Sequence, residues 1–378
     1  MNSPALGATP VDQPAPPTAA PTAGSTAPPT AAPTAGSIAP PTAAPGAARP
    51  PGWWRDERGE PVRRNLGLVV VLIALLGIGA ATRPDIFLDA DRLGPNLFSI
   101  LKQASAIGVV TVGMTFVIIS GGIDLSVGGV IALAGVWSTT VATQSFGVAG
   151  VVFTALVVGL GAGLVNGALV AYGRLVPFIA TLAMFVAARG LAARISGKQT
   201  QTVDVAAVND IATARILGVP VLVWILAAVV LLGWGLLNRT TFGRRTVALG
   251  GNAEAARLAG IRIRPHTMLL YGVSGVCCGV GALMLTAQAT SAQAAMADMY
   301  ELDAIAAAII GGTLLTGGRG TIVGSLLGVL VFSTITNLFA VNNLPTEVQN
   351  MVKGGIIVAA VLVQQFPFGR LRRRGPTG

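Results

Sequence analysis

The chain has 378 residues, 53% of them hydrophobic and only 11% charged, with a formal net charge of +10 and a mean hydropathy of +0.72. Soluble domains are about a quarter charged, so the composition excludes an ordinary soluble globular protein and reads as a polytopic membrane protein. The apolar runs are long and do not alternate, which favours helices over barrel strands. The positive charge has no aromatic–basic interleaving to suggest nucleic acid. It reads instead as arginine held on the cytoplasmic side of a lipid bilayer. The expected fold is an all-α membrane bundle of about ten transmembrane helices behind a disordered tail.

Residues 1–52 are mostly Pro, Ala, Thr, Gly and Ser. A 12-residue repeat runs from Ala15 to Thr26 and again from Ala27 to Ile38. Such a segment cannot bury a core and reads as an extended, disordered tail. It lacks the basic-then-apolar order of a signal peptide. Residues 53–64 follow as an interfacial flank, with Trp53 and Trp54 beside Arg55, Arg58, Arg63 and Arg64. This positive flank puts the N-terminus inside.

The membrane domain is then expected over 65–365, with a basic cytoplasmic tail over 366–378. Apolar runs predict spans at 65–82, 97–119, 123–141, 147–171, 176–196, 219–237, 267–289, 302–316, 321–341 and 349–365. Each is near the roughly 20 residues that cross about 30 Å of hydrocarbon. The 302–316 span is short and reads as a broken or re-entrant helix. With both termini inside, the inner loops hold Arg174, the arginines of 238–266 and Arg319, and the outer loops hold most of the acids. Glycines recur every four residues at Gly159, Gly163 and Gly167, at Gly320, Gly324 and Gly328, and at Gly275 with Gly279. That spacing predicts close helix contacts on one face.

Between two predicted spans, Gly121-Gly122 precedes Asp124 and Ser126. Asp124 suits a helix N-cap at the positive end of the dipole, or a role in a transport path, since acids within membranes are costly. Lys102, Arg189 and Lys353 fall inside predicted spans, toward their outer ends, at the level of Glu301 and Asp303. Each cation is explained singly by snorkelling, or together they form ion pairs at an external mouth. Cys277 and Cys278 are adjacent and apolar-flanked, so they read as packing residues with no disulfide or metal spacing. His266, the single histidine, reads as structural.

The stretch Asn238–His266 is the long polar interruption of the membrane domain. It holds six arginines against one acid, Glu254, and a short helix is expected over Asn252–Ala259, preceded by Gly250-Gly251 and stopped by Gly260. Gly311–Gly320 superficially suggests a phosphate loop, but Gly318 stands where the lysine belongs. No Ser-His-Asp set, HExxH motif or pair of buried carboxylates argues for a hydrolase. The chain is read as non-catalytic, with no catalytic, metal or cofactor residues.

Four stretches together resemble the permease subunits of sugar-type ABC importers, the ribose, xylose, arabinose and galactose branch, related to branched-chain amino-acid permeases. They are Gly113–Ile118 leading into Gly122–Gly128; Phe178–Leu182 with Arg189-Gly190; Ala248–Asn252 through Glu254–Ile261; and Tyr300–Ala307 through Gly318–Gly320. The resemblance covers about 65–365. It implies a multi-pass protein of the bacterial plasma membrane, a permease homodimer, a separate ABC ATPase carrying ATP and Mg²⁺, and an extracytoplasmic substrate-binding protein. It implies alternating access for a small polar solute, a monosaccharide first. Carried over, Gly251, Asn252, Glu254, Ala255, Ala256, Arg257, Leu258 and Gly260 form the element coupled to the ATPase. Asp124 and Ser126 fall in the family's signature turn. Other solutes stay open: a nucleoside, a branched-chain amino acid or a signalling furanose. So does an ion-coupled secondary transporter, in which Asp124 or Asp303 would carry the ion.

Overall fold

The computed structural model describes residues 60–365. The expected disordered tail (1–52), most of the Trp-Trp flank and the basic tail (366–378) lie outside the described residues. The described chain is mostly helical. In order, the helices are α1 (Glu60–Thr82), α2 (Pro84–Phe87), α3 (Ala90–Ile119), α4 (Val127–Ser138), α5 (Val141–Gln144), α6 (Gly147–Ala171) and α7 (Pro177–Ile195). After them come α8 (Ala206–Thr213), α9 (Val221–Arg239), α10 (Thr241–Gly251), α11 (Ala253–Leu258), α12 (Ile263–Ala289), α13 (Tyr300–Ile310), α14 (Ile322–Val341) and α15 (Thr346–Gln365).

Seven of these are long and apolar enough to cross a membrane: α1, α3, α6, α7, α9, α12 and α14. α15 has 20 residues but carries Glu347 and Lys353. Two short antiparallel pairings, β1 (Gln201–Thr202) with β4 (Ser291–Ala292) and β2 (Arg215–Ile216) with β3 (Val219–Pro220), sit at the end of the bundle opposite the arginine-rich loop.

α3 and α12 form the centre and are buried along most of their length, whereas α1, α7 and α9 keep most of their surface exposed. The centre is built by glycine. Along α6, a Cβ at Gly159 or Gly163 would collide with the carbonyls of Gly275 or Tyr271, and one at Gly167 would lie 2.6 Å from Met268 Cα. A Cβ on Gly279 of α12 would likewise meet Ala155 O at 2.6 Å. The two backbones therefore touch directly, as the four-residue spacing predicts. The same happens where Gly324 and Gly328 of α14 meet the backbone of Gly311 and Ala307.

Two predicted spans are not full-length helices. In place of a helix over 123–141, the chain turns at Gly121 (φ +86°), runs non-helically through 122–126, and only then forms the 12-residue α4. Non-helical backbone survives inside a bundle only where its polar groups find partners; here Gly122 N donates to Val117 O, Ser126 N donates to Asp124 Oδ1, and the Thr181 and Tyr271 hydroxyls donate to Ile123 O. In place of 302–316, α13 has 11 residues and ends at a turn with positive φ at Gly312, Gly317 and Gly318. The expectation of a broken element is met there; at the other, the turn at Gly121-Gly122 was expected, but its non-helical continuation to Ser126 was not. The arginine-rich stretch holds one further helix than predicted, α10, whose N-cap Thr240 accepts from Gly243 N at 3.4 Å.

Candidate functional site

At the arginine-rich end, α10 and α11 form an arm outside the long helices. The short helix expected over Asn252–Ala259 is present as α11, and Asn252 caps it by accepting from Ala255 N at 3.0 Å. Within α11, Arg257 donates to Glu254 through Nε at 3.0 Å and Nη2 at 2.6 Å. That hydrogen bond holds the Glu254 carboxyl below its ordinary value. From Gly251 to Gly260 only Ala256 is buried, and Leu258 is 74% exposed. The sequence-predicted coupling residues therefore lie together on one accessible turn.

The arm is tied to the bundle through backbone. Gly318 N donates to Ile119 O at 2.8 Å. A Cβ on Gly250 would stand 2.6 Å from Gly318 N and would collide with Ile119 O. The ends of α3 and α10 and the turn at Gly318 thus meet backbone to backbone. His266 serves this junction structurally: its Nε2 lies 3.0 Å from Thr246 Oγ1 and its ring packs 4.6 Å from that of Phe242.

Asp124 sits at the second station, almost fully buried. Its Oδ1 accepts from Ser126 N at 3.0 Å and Ser126 Oγ at 2.6 Å, and its Oδ2 accepts from Ser274 Oγ at 2.9 Å. Asn166 donates to Ser126 Oγ at 2.8 Å. The carboxylate therefore holds the entry to α4 and fastens it to α6 and α12. It accepts from Ser126, the residue immediately before α4, rather than from the helix's own first turn, a variant of the capping role. Asn166 and Ser274 were not foreseen, because a lone Asn or Ser in an apolar helix carries no pattern.

The third station surrounds the start of α13. Lys353 Nζ donates to Asp303 Oδ2 at 3.0 Å. Arg189 reaches across from α7, donating to Ala294 O at 3.1 Å and to Asp298 Oδ1 at 3.2 Å. Glu301 lies next to Gly128, where a Cβ would collide with its carboxylate, so the starts of α4 and α13 adjoin. Lys102 makes no ion pair among the described residues. The predicted pairing of cations with acids is present, but it is split between Asp303 and Asp298. Asp303 and Glu301 both lie in the first turn of α13, and Asp298 just before it is exposed.

Beside the Asp303–Lys353 pair is a polar pocket of about 130 Å³, bordered by α3, α13, α14 and α15. A larger cavity of about 390 Å³ lies between α3, α6, α9 and α12, and its walls are apolar, with Val112, Phe116, Leu160 and Val229 among them. It offers nothing to orient a polar solute.

The family model described as "Branched-chain amino acid transport system / permease component" matches residues 96–361. Ribose import permease protein RbsC of Escherichia coli K12 is 37% identical over 301 residues, 78% of this chain and 92% of that protein. Galactofuranose transporter permease protein YtfT of the same organism is 34% identical over 305 residues, 80% of this chain and 89% of that protein. L-arabinose ABC transporter permease protein AraH of Azospirillum brasilense is 33% identical over 301 residues, 79% and 87% respectively. No solved structure matches the chain. Most of the bundle, including all three stations, falls within the matched region, and on that evidence the chain belongs to the branched-chain amino acid transport system / permease component family.

Proposed function

We propose that the chain is the permease subunit of an ABC importer for a monosaccharide. The observation that carries this is the exposed turn Gly251–Gly260 with Leu258 in the open, in a chain similar to import permeases for ribose, galactofuranose and L-arabinose. A small apolar knob on a solvent-facing helix suits insertion into a partner's cleft. The sequence has no phosphate-binding loop of its own, so ATP and Mg²⁺ belong to a partner ATPase. That ATPase docks on α11, and an extracytoplasmic binding protein delivers the sugar at the opposite end.

In this reading the arginine-rich end is cytoplasmic, as are both termini, and the chain crosses the membrane about ten times. α15, α4 with the non-helical segment before it, and α13 with the turn that follows it complete the crossings beyond the seven long helices. Two copies pair to form the path. Asp124 and Ser126 hold the hinge at α4, while Lys102, Arg189, Glu301, Asp303 and Lys353 border the path or its gate. Substituting Leu258→Asp tests the docking. The variant is expected to reach the membrane but to lose the ATPase on purification. Retention of the ATPase at the wild-type ratio overturns the assignment of α11.

A further inference from the structure

We propose that the polar pocket among α3, α13, α14 and α15 is the station that holds one monosaccharide ring during transit. Gln103 and Ser333 bind its hydroxyls, and the Asp303–Lys353 pair forms one wall. This deepens the importer reading and rests on it.

The chemistry of the walls is what a sugar requires. A sugar leaving water must replace hydrogen bonds to several hydroxyls, each both donor and acceptor. Gln103 supplies an amide, Ser333 and Thr336 supply hydroxyls, and Asp303 and Lys353 supply an acceptor and a donor. Tyr300 and Phe332 add flat apolar faces against which the C–H side of a ring packs. Lys353 Nζ lies 5.3 Å from the centre of the Phe332 ring, which fixes the ammonium at this wall.

Ser333 supplies the independent sign of a missing ligand. It is 2% exposed, and its Oγ has no hydrogen-bond partner among the described residues. A buried hydroxyl without a partner is destabilising, and a solute hydroxyl in the pocket supplies the missing hydrogen bond. The Asp124 cluster is different. Both of its carboxylate oxygens are already engaged by Ser126 and Ser274, so it reads as a fastening.

Size and depth agree with one small ring. The volume of about 130 Å³ is below the range of about 300–1,000 Å³ for drug-sized ligands, yet it holds several waters at about 10–15 Å³ each. Gln103 is 13 residues from Ala90 and 16 from Ile119, and Ser333 is 11 from Ile322 and 8 from Val341. Both lie near the middle of their helices, the depth at which transporters hold their solutes.

The test uses the complete importer, with its ATPase and binding protein, in proteoliposomes. Labelled D-ribose, L-arabinose and D-allose are each supplied at saturation of the binding protein, so the permease step sets the rate ratios. Gln103→Leu and Ser333→Ala are compared with wild type, and Ser333→Thr, which adds one methyl to the pocket wall, serves if Ser333→Ala does not assemble. The expected result is an uptake rate lowered at least tenfold for one sugar, with the ratio between sugars shifted at least fivefold. Rates that are unchanged, or that fall equally for all three sugars, overturn the pocket assignment while the importer reading stands. A wild-type importer that carries leucine or uridine and none of the sugars overturns both.

Discussion

Lys353 Nζ lies 3.0 Å from Asp303 Oδ2, with both side chains mostly buried, and so joins α15 to the first turn of α13. Removing one partner of such a pair leaves a buried charge alone, at a cost of about 3–5 kcal/mol. Lys353→Met and Asp303→Asn should each lower the melting temperature of the purified permease in detergent. The double variant should recover part of the loss, with a coupling of about 1–3 kcal/mol in a double-mutant cycle. Simple additivity would mean that the two side chains do not interact.

The α6–α12 contact predicts a contrast between neighbouring glycines. A Cβ at Gly163 collides with Tyr271 O, whereas one at Gly161 meets nothing within 4 Å. Gly163→Ala should therefore destabilise the permease by roughly 1–3 kcal/mol. Gly161→Ala should be neutral, or slightly stabilising through helix propensity. Thermal melts of the two variants measure the difference.

At the Asp124 cluster, Ser274→Ala removes the donor to Oδ2 and leaves a buried carboxylate oxygen unpartnered. The expected loss is about 1–3 kcal/mol of stability. Uptake should then track the amount of folded protein. If uptake disappears while the melting temperature is unchanged, Asp124 acts in the transport path instead.

Glu254 and Arg257 are both exposed, so their ion pair contributes little to the fold. Arg257 lowers the Glu254 pKa, so the pair is intact at neutral pH and is lost only as pH falls through that depressed value. Glu254→Lys should leave the melting temperature of the permease unchanged. It should abolish both uptake and permease-dependent stimulation of the ATPase, which places its effect at the partner.

Most long helices were legible in the sequence because a bilayer demands unbroken apolar runs, and the predicted span 147–171 coincides with α6. The glycine spacing was legible for the same kind of reason: a period of four maps directly onto one helix face. The break before α4 was not. Ile123, Leu125 and Val127 continue the apolar run, and hydropathy does not distinguish an extended apolar segment from a helical one. What holds it is Ser274, 150 residues away from Asp124. α10 is not legible because its arginines are those of a loop, and what makes it a helix is its packing against α9 and the end of α3. Gln103 stands beside Lys102 and Ser333 beside Thr334, Thr336 and Asn337, so nothing in the sequence singles them out, and only the fold brings them to one pocket.

Vanadate-sensitive uptake measures the central claim most directly. Proteoliposomes holding the purified complex are loaded with ATP and Mg²⁺ on the ATPase side and given labelled D-ribose, L-arabinose or D-allose with the binding protein. The account predicts accumulation of at least one of these sugars that stops with vanadate, stops without ATP, and is indifferent to an uncoupler. Uptake that continues without ATP and collapses with the uncoupler would contradict it.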